Sequence, residues 1–193
     1  MRQLYSLIIA MVLVSSCALI HQEVTLKPDV NVASTDIGKG RAIKLKTVDE
    51  RTSAVIGSRG MKGGPAASAE ITSTQDVLTV IQTALLDGLK RKGFNPTLEE
   101  GTVQHGMRVD LRNLEYGVTP GIFVGTLRTE VALKATCIVN GMQSYDRMYR
   151  GEEKDWIFFI QFASANEQYI NSALSKAIQS LLDDAKLHGC LVQ

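Results

Sequence analysis

Groups that usually carry catalysis are sparse in this sequence. Its 193 residues hold three histidines and three cysteines, and no HExxH, GxSxG or paired CxxC spacing occurs. His21, His105 and His188 fall on an N-terminal segment, an expected strand and a helix end, so their order gives no sign of nucleophilic or metal chemistry. Adjacent carboxylates at Glu99-Glu100, Glu152-Glu153 and Asp183-Asp184 read as solvated turn or helix-face charges rather than acid-base pairs. The expectation is a protein that is not an enzyme, with no catalytic residues, no metal site and no cofactor. Charge of one sign is also missing. Against 20 Asp+Glu stand 21 Lys+Arg, which denies nucleic acid the basic stripe it needs. A spanning helix is absent too: the apolar run Leu4 to Val14 is short and broken by Ser6, where about 20 residues are needed to cross about 30 Å of hydrocarbon.

What the apolar run does have is a particular ending. Arg2 precedes it and Val14-Ser15-Ser16-Cys17 closes it, a pattern that resembles a bacterial lipobox, in which the cysteine is lipidated and becomes the first residue of the mature chain. Residues 1–16 are then a signal peptide and Cys17 the anchor. Each buried methylene of an acyl chain such as palmitate contributes about 0.8 kcal/mol, so several chains on one cysteine hold the protein to a membrane for good. Arg2 leaves with the signal, and the mature chain carries 20 charges of each sign. Ala18 in place of aspartate after the cysteine, by likeness to sorted bacterial lipoproteins, implies the outer membrane with the protein facing the periplasm. Residues 17–40 show no period and contain Pro28, Gly38 and Gly40, and they read as a lipidated N-terminus and flexible tether. Such a tether reaches about 26 Å on average and about 75 Å at full stretch. Glu23 to Pro28 alternates and suits an edge strand ended by the proline.

Residues 41–193 read as a single α+β periplasmic domain. Ile43, Leu45 and Val48 alternate with lysines as in a strand with one wet face. The glycine-rich run from Gly57 to Pro65 lacks the GxxxxGK[ST] order of a phosphate loop and reads as a hairpin tip before a short strand near residues 67–72. Val77, Leu78, Ile81, Leu85, Leu86 and Leu89 then recur at helical spacing, between N-cap candidates at residues 73–76 and Gly93. Met107, Val109 and Leu111 alternate, and the phase shifts by Leu114, which predicts a bulge near Arg112-Asn113. The cleanest strand carries Leu127, Val131, Leu133, Ala135 and Cys137 on one face, and Asn140-Gly141 turns it into a hairpin. Ser164 to Glu167 has the form of a capping box for a last helix running to about residues 187–189. The expected fold is an antiparallel sheet of about four to five strands with two amphipathic helices packed on one face.

Cys137 and Cys190 remain in what would be an oxidising compartment, where a pair can form. Nothing in the sequence brings their Cα atoms within the roughly 4.4–6.8 Å a disulfide needs, and the favoured reading is a small core residue and a separate thiol. The segment DWIFFIQF gathers Trp156, Phe158, Phe159 and Phe162, either as a core strand or as rings that project toward a partner.

The lipobox, "VDERTSAVIG" after the first strand, a helix ending "LKRKGF", the strand "TEVALKATCIVNG", Tyr149-Arg150-Gly151 and the helix "NSALSKAIQSLLDDA" together resemble the YajG family of bacterial outer-membrane lipoproteins. The aromatic DWIFFIQF segment departs from that pattern. The resemblance implies a location and a fold and supplies no catalytic residues. The expected function is a lipid-anchored, non-catalytic accessory or scaffold of an envelope assembly for secretion, transport or motility. Its partners are the outer membrane through Cys17 and other envelope proteins through Trp156, Phe158, Phe159 and Phe162, with homo- or hetero-oligomers left open. The alternative is a lipid or glycolipid carrier that holds an acyl chain between helices and sheet.

Overall fold

The computed structural model describes residues 20–60, 69–98, 104–121, 124–157 and 162–193. Cys17, Phe158, Phe159 and Glu99-Glu100 lie outside the described residues. Strands β1 (Gln22–Val24), β2 (Ala42–Asp49), β3 (Gly57–Ser58) and β4 (Glu70–Ser73) precede helix α1 (Val77–Arg91). Strands β5 (Asn95–Thr97), β6 (His105–Thr119), β7 (Gly125–Val139) and β8 (Met142–Ile157) follow, and then helices α2 (Ala163–Leu182) and α3 (Ala185–Leu191).

These strands form one eight-stranded sheet, and it is mixed rather than antiparallel. The long meander β6–β7–β8 is antiparallel, as the alternation and the Asn140-Gly141 turn require, with both turn residues at positive φ (52° and 79°). The register shift between Leu111 and Asn113 is the bulge that the phase change predicts. Against the other edge of β6, however, β2 runs parallel, and β5 runs parallel to β2. At the far end β3 touches β6 in parallel at Gly57 and Tyr116, β4 turns back beside β3, and β1 lies parallel to β4. The expectation of four to five antiparallel strands with two helices therefore fails in strand number, direction and helix count. Alternation fixes the face a side chain takes but not the strand that lies beside it. Here α1 carries the chain back along the sheet, so β5 re-enters in the direction of β2.

All three helices of the described residues cover the same face. Gln82 of α1 reaches Thr47 of β2 at 3.3 Å, Gly151 of β8 lies under Ala173 of α2, and Cys190 of α3 is joined to Cys137 of β7. That bond, with Cα atoms 6.4 Å apart, corrects the unpaired reading of the cysteines. Folding brings together two positions 53 residues apart, which no local spacing reveals. Leu85, Leu89, Ile170, Leu174, Ile178 and Leu181 fill the interior, each at most 1% exposed. Where α1 and α2 cross, a Cβ on Gly88 would stand 2.2 Å from a Leu182 methyl. The two helices are therefore in direct contact at that crossing.

From residue 20 onward, the segment expected to be a tether is part of the fold. Beyond β1 it runs as an extended strap across the helix layer. The N–H groups of Thr25, Lys27 and Asp29 donate to Glu167, Asn171 and Ser175, which stand four residues apart on one face of α2. On the α1 side, Leu26 N–H donates to Gln75, and Arg91 donates to the carbonyl of Val30. Val24, Leu26 and Val32 are buried beneath the strap. The missing period is explained by the partners: an extended chain between two helices borrows its hydrogen bonds from side chains and needs no strand pattern.

Candidate functional site

The other face of the sheet is lined by charge. Arg108 pairs with Glu50 (3.0 Å) and Asp110 (2.6 Å), Arg128 with Glu130 (3.2 Å) and Glu152 (2.9 Å), and Lys134 with Asp146 (3.2 Å). Trp156, opposite Thr126 near the end of β8, breaks this pattern. It is 68% exposed, while its neighbour Ile157 turns into the core. Asp155 holds that strand end by accepting from Trp156 N–H at 2.7 Å and from the Tyr169 hydroxyl of α2, a contact that keeps its pKa below the usual carboxylate range. Phe162 is 82% exposed and occupies the N-cap of α2. A phenylalanine there makes no side-chain cap, where serine or aspartate would serve. The capping box expected at Ser164 to Glu167 does not form. Glu167 instead holds the strap through Thr25.

A buried polar chain ties this region together. The Tyr116 hydroxyl donates to Asn166 Oδ1 at 2.6 Å, Asn166 Nδ2 donates to Gln22 Oε1 at 2.9 Å, and Gln22 Nε2 donates to the Ala163 carbonyl at 2.9 Å. Burial pushes the Tyr116 phenol well above its ordinary pKa, so it stays a donor. The chain locks the start of α2 to β6 and to β1. Beside it an open groove of about 740 Å³ runs between β3 and the end of β6, lined by Val55, Ser58, Glu70, Tyr116 and Val118. Of the glycine-rich loop Gly57 to Pro65, only residues 57–60 are described, and they border this groove.

A second polar cluster, which the sequence reading missed, sits at the opposite end. Asp184 reads from sequence as a solvated charge, yet it is 8% exposed and accepts from Tyr145 (2.8 Å), Tyr149 (2.7 Å) and Arg147 (3.2 Å). Its other oxygen caps α3 through Lys186 and Leu187 N–H. An aspartate just after a helix and two residues before a lysine was the available signal, and it divides the single expected last helix into α2 and α3. Burial alone would raise its pKa, but the tyrosine and backbone donors outweigh it and bring it down to about 2. Because the folded value lies below the ordinary 3.8, the contribution, about 2 kcal/mol, is present above pH 4 and is lost as pH falls through 2. Acid unfolding followed by circular dichroism should show this loss, and Asp184→Asn should flatten it.

The remaining titratable groups are spread out. His21 bonds Thr72 (3.0 Å), His105 accepts from Arg41 (3.2 Å), and His188 is buried beside Phe94, where desolvation lowers its pKa. Glu152 and Glu153 point to opposite faces, toward Arg128 and Lys176, and Asp183 faces Lys92. Among the described residues no group of three His, Cys, Asp or Glu is placed to hold a metal ion.

A family model described as an uncharacterized lipoprotein matches residues 28–192. No curated protein matches this chain. Protein XCC0632 from Xanthomonas campestris has a similar fold, with a TM-score of 0.61 at 12% identity over 87% of this chain and 95% of its own. A putative neuraminyllactose-binding hemagglutinin homolog from Helicobacter pylori gives a TM-score of 0.53 at 9% identity, covering 84% of this chain and 95% of its own. At such identities the likeness is one of fold.

Proposed function

We propose, for a chain that belongs to the uncharacterized lipoprotein family, that it works as a lipid-anchored accessory component of a cell-envelope assembly and not as an enzyme. In this reading it is a YajG-type protein, held by acyl chains on Cys17 at the outer membrane and facing the periplasm. The observation that carries the reading is the free edge of β8. This strand has 16 residues and, among the described residues, pairs only with β7. Its other side offers a long row of backbone donors and acceptors, the template that strand addition uses. Its charged side chains restrict the partner to one with a complementary pattern and disfavour self-pairing. Glu152, Glu153, Asp183 and Asp184, by contrast, are engaged in ion pairs and a helix cap that hold the fold.

The test is photo-crosslinking in intact cells from an aryl-ketone residue placed at Arg150 or Lys154. The expected result is a discrete adduct with an envelope protein that disappears when Cys17→Ala releases the chain from the membrane. Absence of an adduct from both positions, with the protein correctly localised, would refute the edge as the partner surface.

A further inference from the structure

The geometry points to a bilayer-facing end, at which Trp156 and Phe162 seat in the membrane interface beside the anchor; this rests on Cys17 being lipidated. The first argument is the length of chain between the anchor and the fold. Ile20 is followed at once by β1, and Gln22 is fixed to the Ala163 carbonyl at 2.9 Å, directly after Phe162. Ile20 is only three residues on from Cys17, a span of roughly 11 Å at full extension. The domain therefore cannot stand off on a long leash. The end that carries Ile20, Gln22 and Phe162 is held against the surface in which the acyl chains sit.

The second argument is that the same end carries Trp156. Tyr169, on the second turn of α2, bonds Asp155, and Tyr116, opposite Thr129 and level with Glu153, bonds Asn166. The start of α2, the entry of the chain and the Trp156 end of β8 are thus one rim of the domain. Ile20 (57%), Trp156 (68%) and Phe162 (82%) are exposed along it, whereas the other exposed large apolar residues among those described are spread out, Ile37 before β2, Leu98 after β5, and Met142 and Met148 in the hairpin half of β8. Tryptophan favours the headgroup level of a bilayer, where its ring is half in hydrocarbon and its N–H stays wet. Phe162 displaces a better N-cap without any packing return inside the fold, which is expected of a residue kept for contact outside it.

Trp156 is the only tryptophan in the chain, so its fluorescence reports this rim directly. Full-length protein purified from a bacterial host in its lipidated form would be reconstituted into phosphatidylethanolamine/phosphatidylglycerol vesicles, with bromine labels at graded depths on the acyl chains. Emission should shift to the blue relative to the unanchored Cys17→Ala protein and be quenched most by the shallowest label. Phe162→Ser should lose most of that quenching while unfolding no more easily than wild type, because serine improves the cap. Protein that floats with the vesicles but shows unshifted, unquenched Trp156 would overturn the inference and leave the anchor intact. A shift seen only after an envelope extract is added would assign the rim to a protein partner and overturn it equally. Protein that carries no lipid and does not float would overturn the anchor reading, and this inference with it.

Discussion

Replacing Cys137 and Cys190 together by alanine should lower the unfolding free energy by about 4 kcal/mol, read as a drop in the urea midpoint with a steeper slope, since the uncrosslinked chain exposes more surface when it unfolds. The estimate follows from the loop that the bond closes. Its ends are 53 residues apart, and the chain-entropy account gives about 4 kcal/mol for that length. The helix that benefits cannot stand alone. With seven residues, α3 is far below the roughly 12–15 at which an isolated helix becomes marginal. It is held by Asp184 at its start, by buried Leu187 and Leu191, and by the bond to β7. Both cysteines are at most 5% exposed, so mild reductant should act slowly on the native protein and quickly once urea has opened it. Coincident midpoints for the variant and the wild type would show that the bond adds nothing to the fold.

Gly151→Ala should cost about 3 kcal/mol, at the upper end of what overpacking usually does. A Cβ at this position would lie 1.9 Å from the Ala173 carbonyl oxygen and 2.7 Å from Ala177 N, both in the backbone of α2. Neither atom can swing aside as a side-chain tip could, so the helix must lift from the sheet as a body. Lifting it also strains the contacts of Ser172 and Lys176 with Glu153 of β8. Gly117→Ala is the control. It lies in β6 with nothing within 4 Å of the added methyl, and it should leave the thermal midpoint nearly unchanged. Equal stability of the two variants would mean that α2 is not seated as closely on β8 as the contact implies.

The parts of this fold that repeat locally were legible in the sequence. The stripe from Val77 to Leu89, the Asp76 carboxylate accepting from Thr79 N–H, the Leu111/Asn113 bulge and the Asn140-Gly141 turn each depend on neighbours a few residues away. What was not legible depends on distant partners. The parallel placement of β2 beside β6, the docking of residues 24–32 and the pairing of Cys137 with Cys190 are set by elements 50 or more residues off, and none leaves a periodic trace. Asp184 shows the same divide. Its cap on Lys186 is local, but the two tyrosines that bury it come from β8. For the candidate site, the density of aromatics in one short segment singled out Trp156 and Phe162 but fitted a core strand as well as projecting rings, so their exposure was not legible. Nor was their nearness to the start of the chain.

The strap also sets an order of events during synthesis. Thr25 and Lys27 leave the ribosome early, but their acceptors Glu167 and Asn171 follow 142 and 144 residues later, and Gln22 waits 141 residues for Ala163. The earliest segment to appear is thus among the last to be locked. Closing so long a loop is slow relative to forming the local meander and α1, which can assemble first. Throughout that interval Gln22, Thr25, Lys27 and Asp29 lack their partners on α2, so any enzyme that must act on the nearby N-terminal region meets a chain held at most by β4 and the start of α1. Docking of α2 is the step that ends its access.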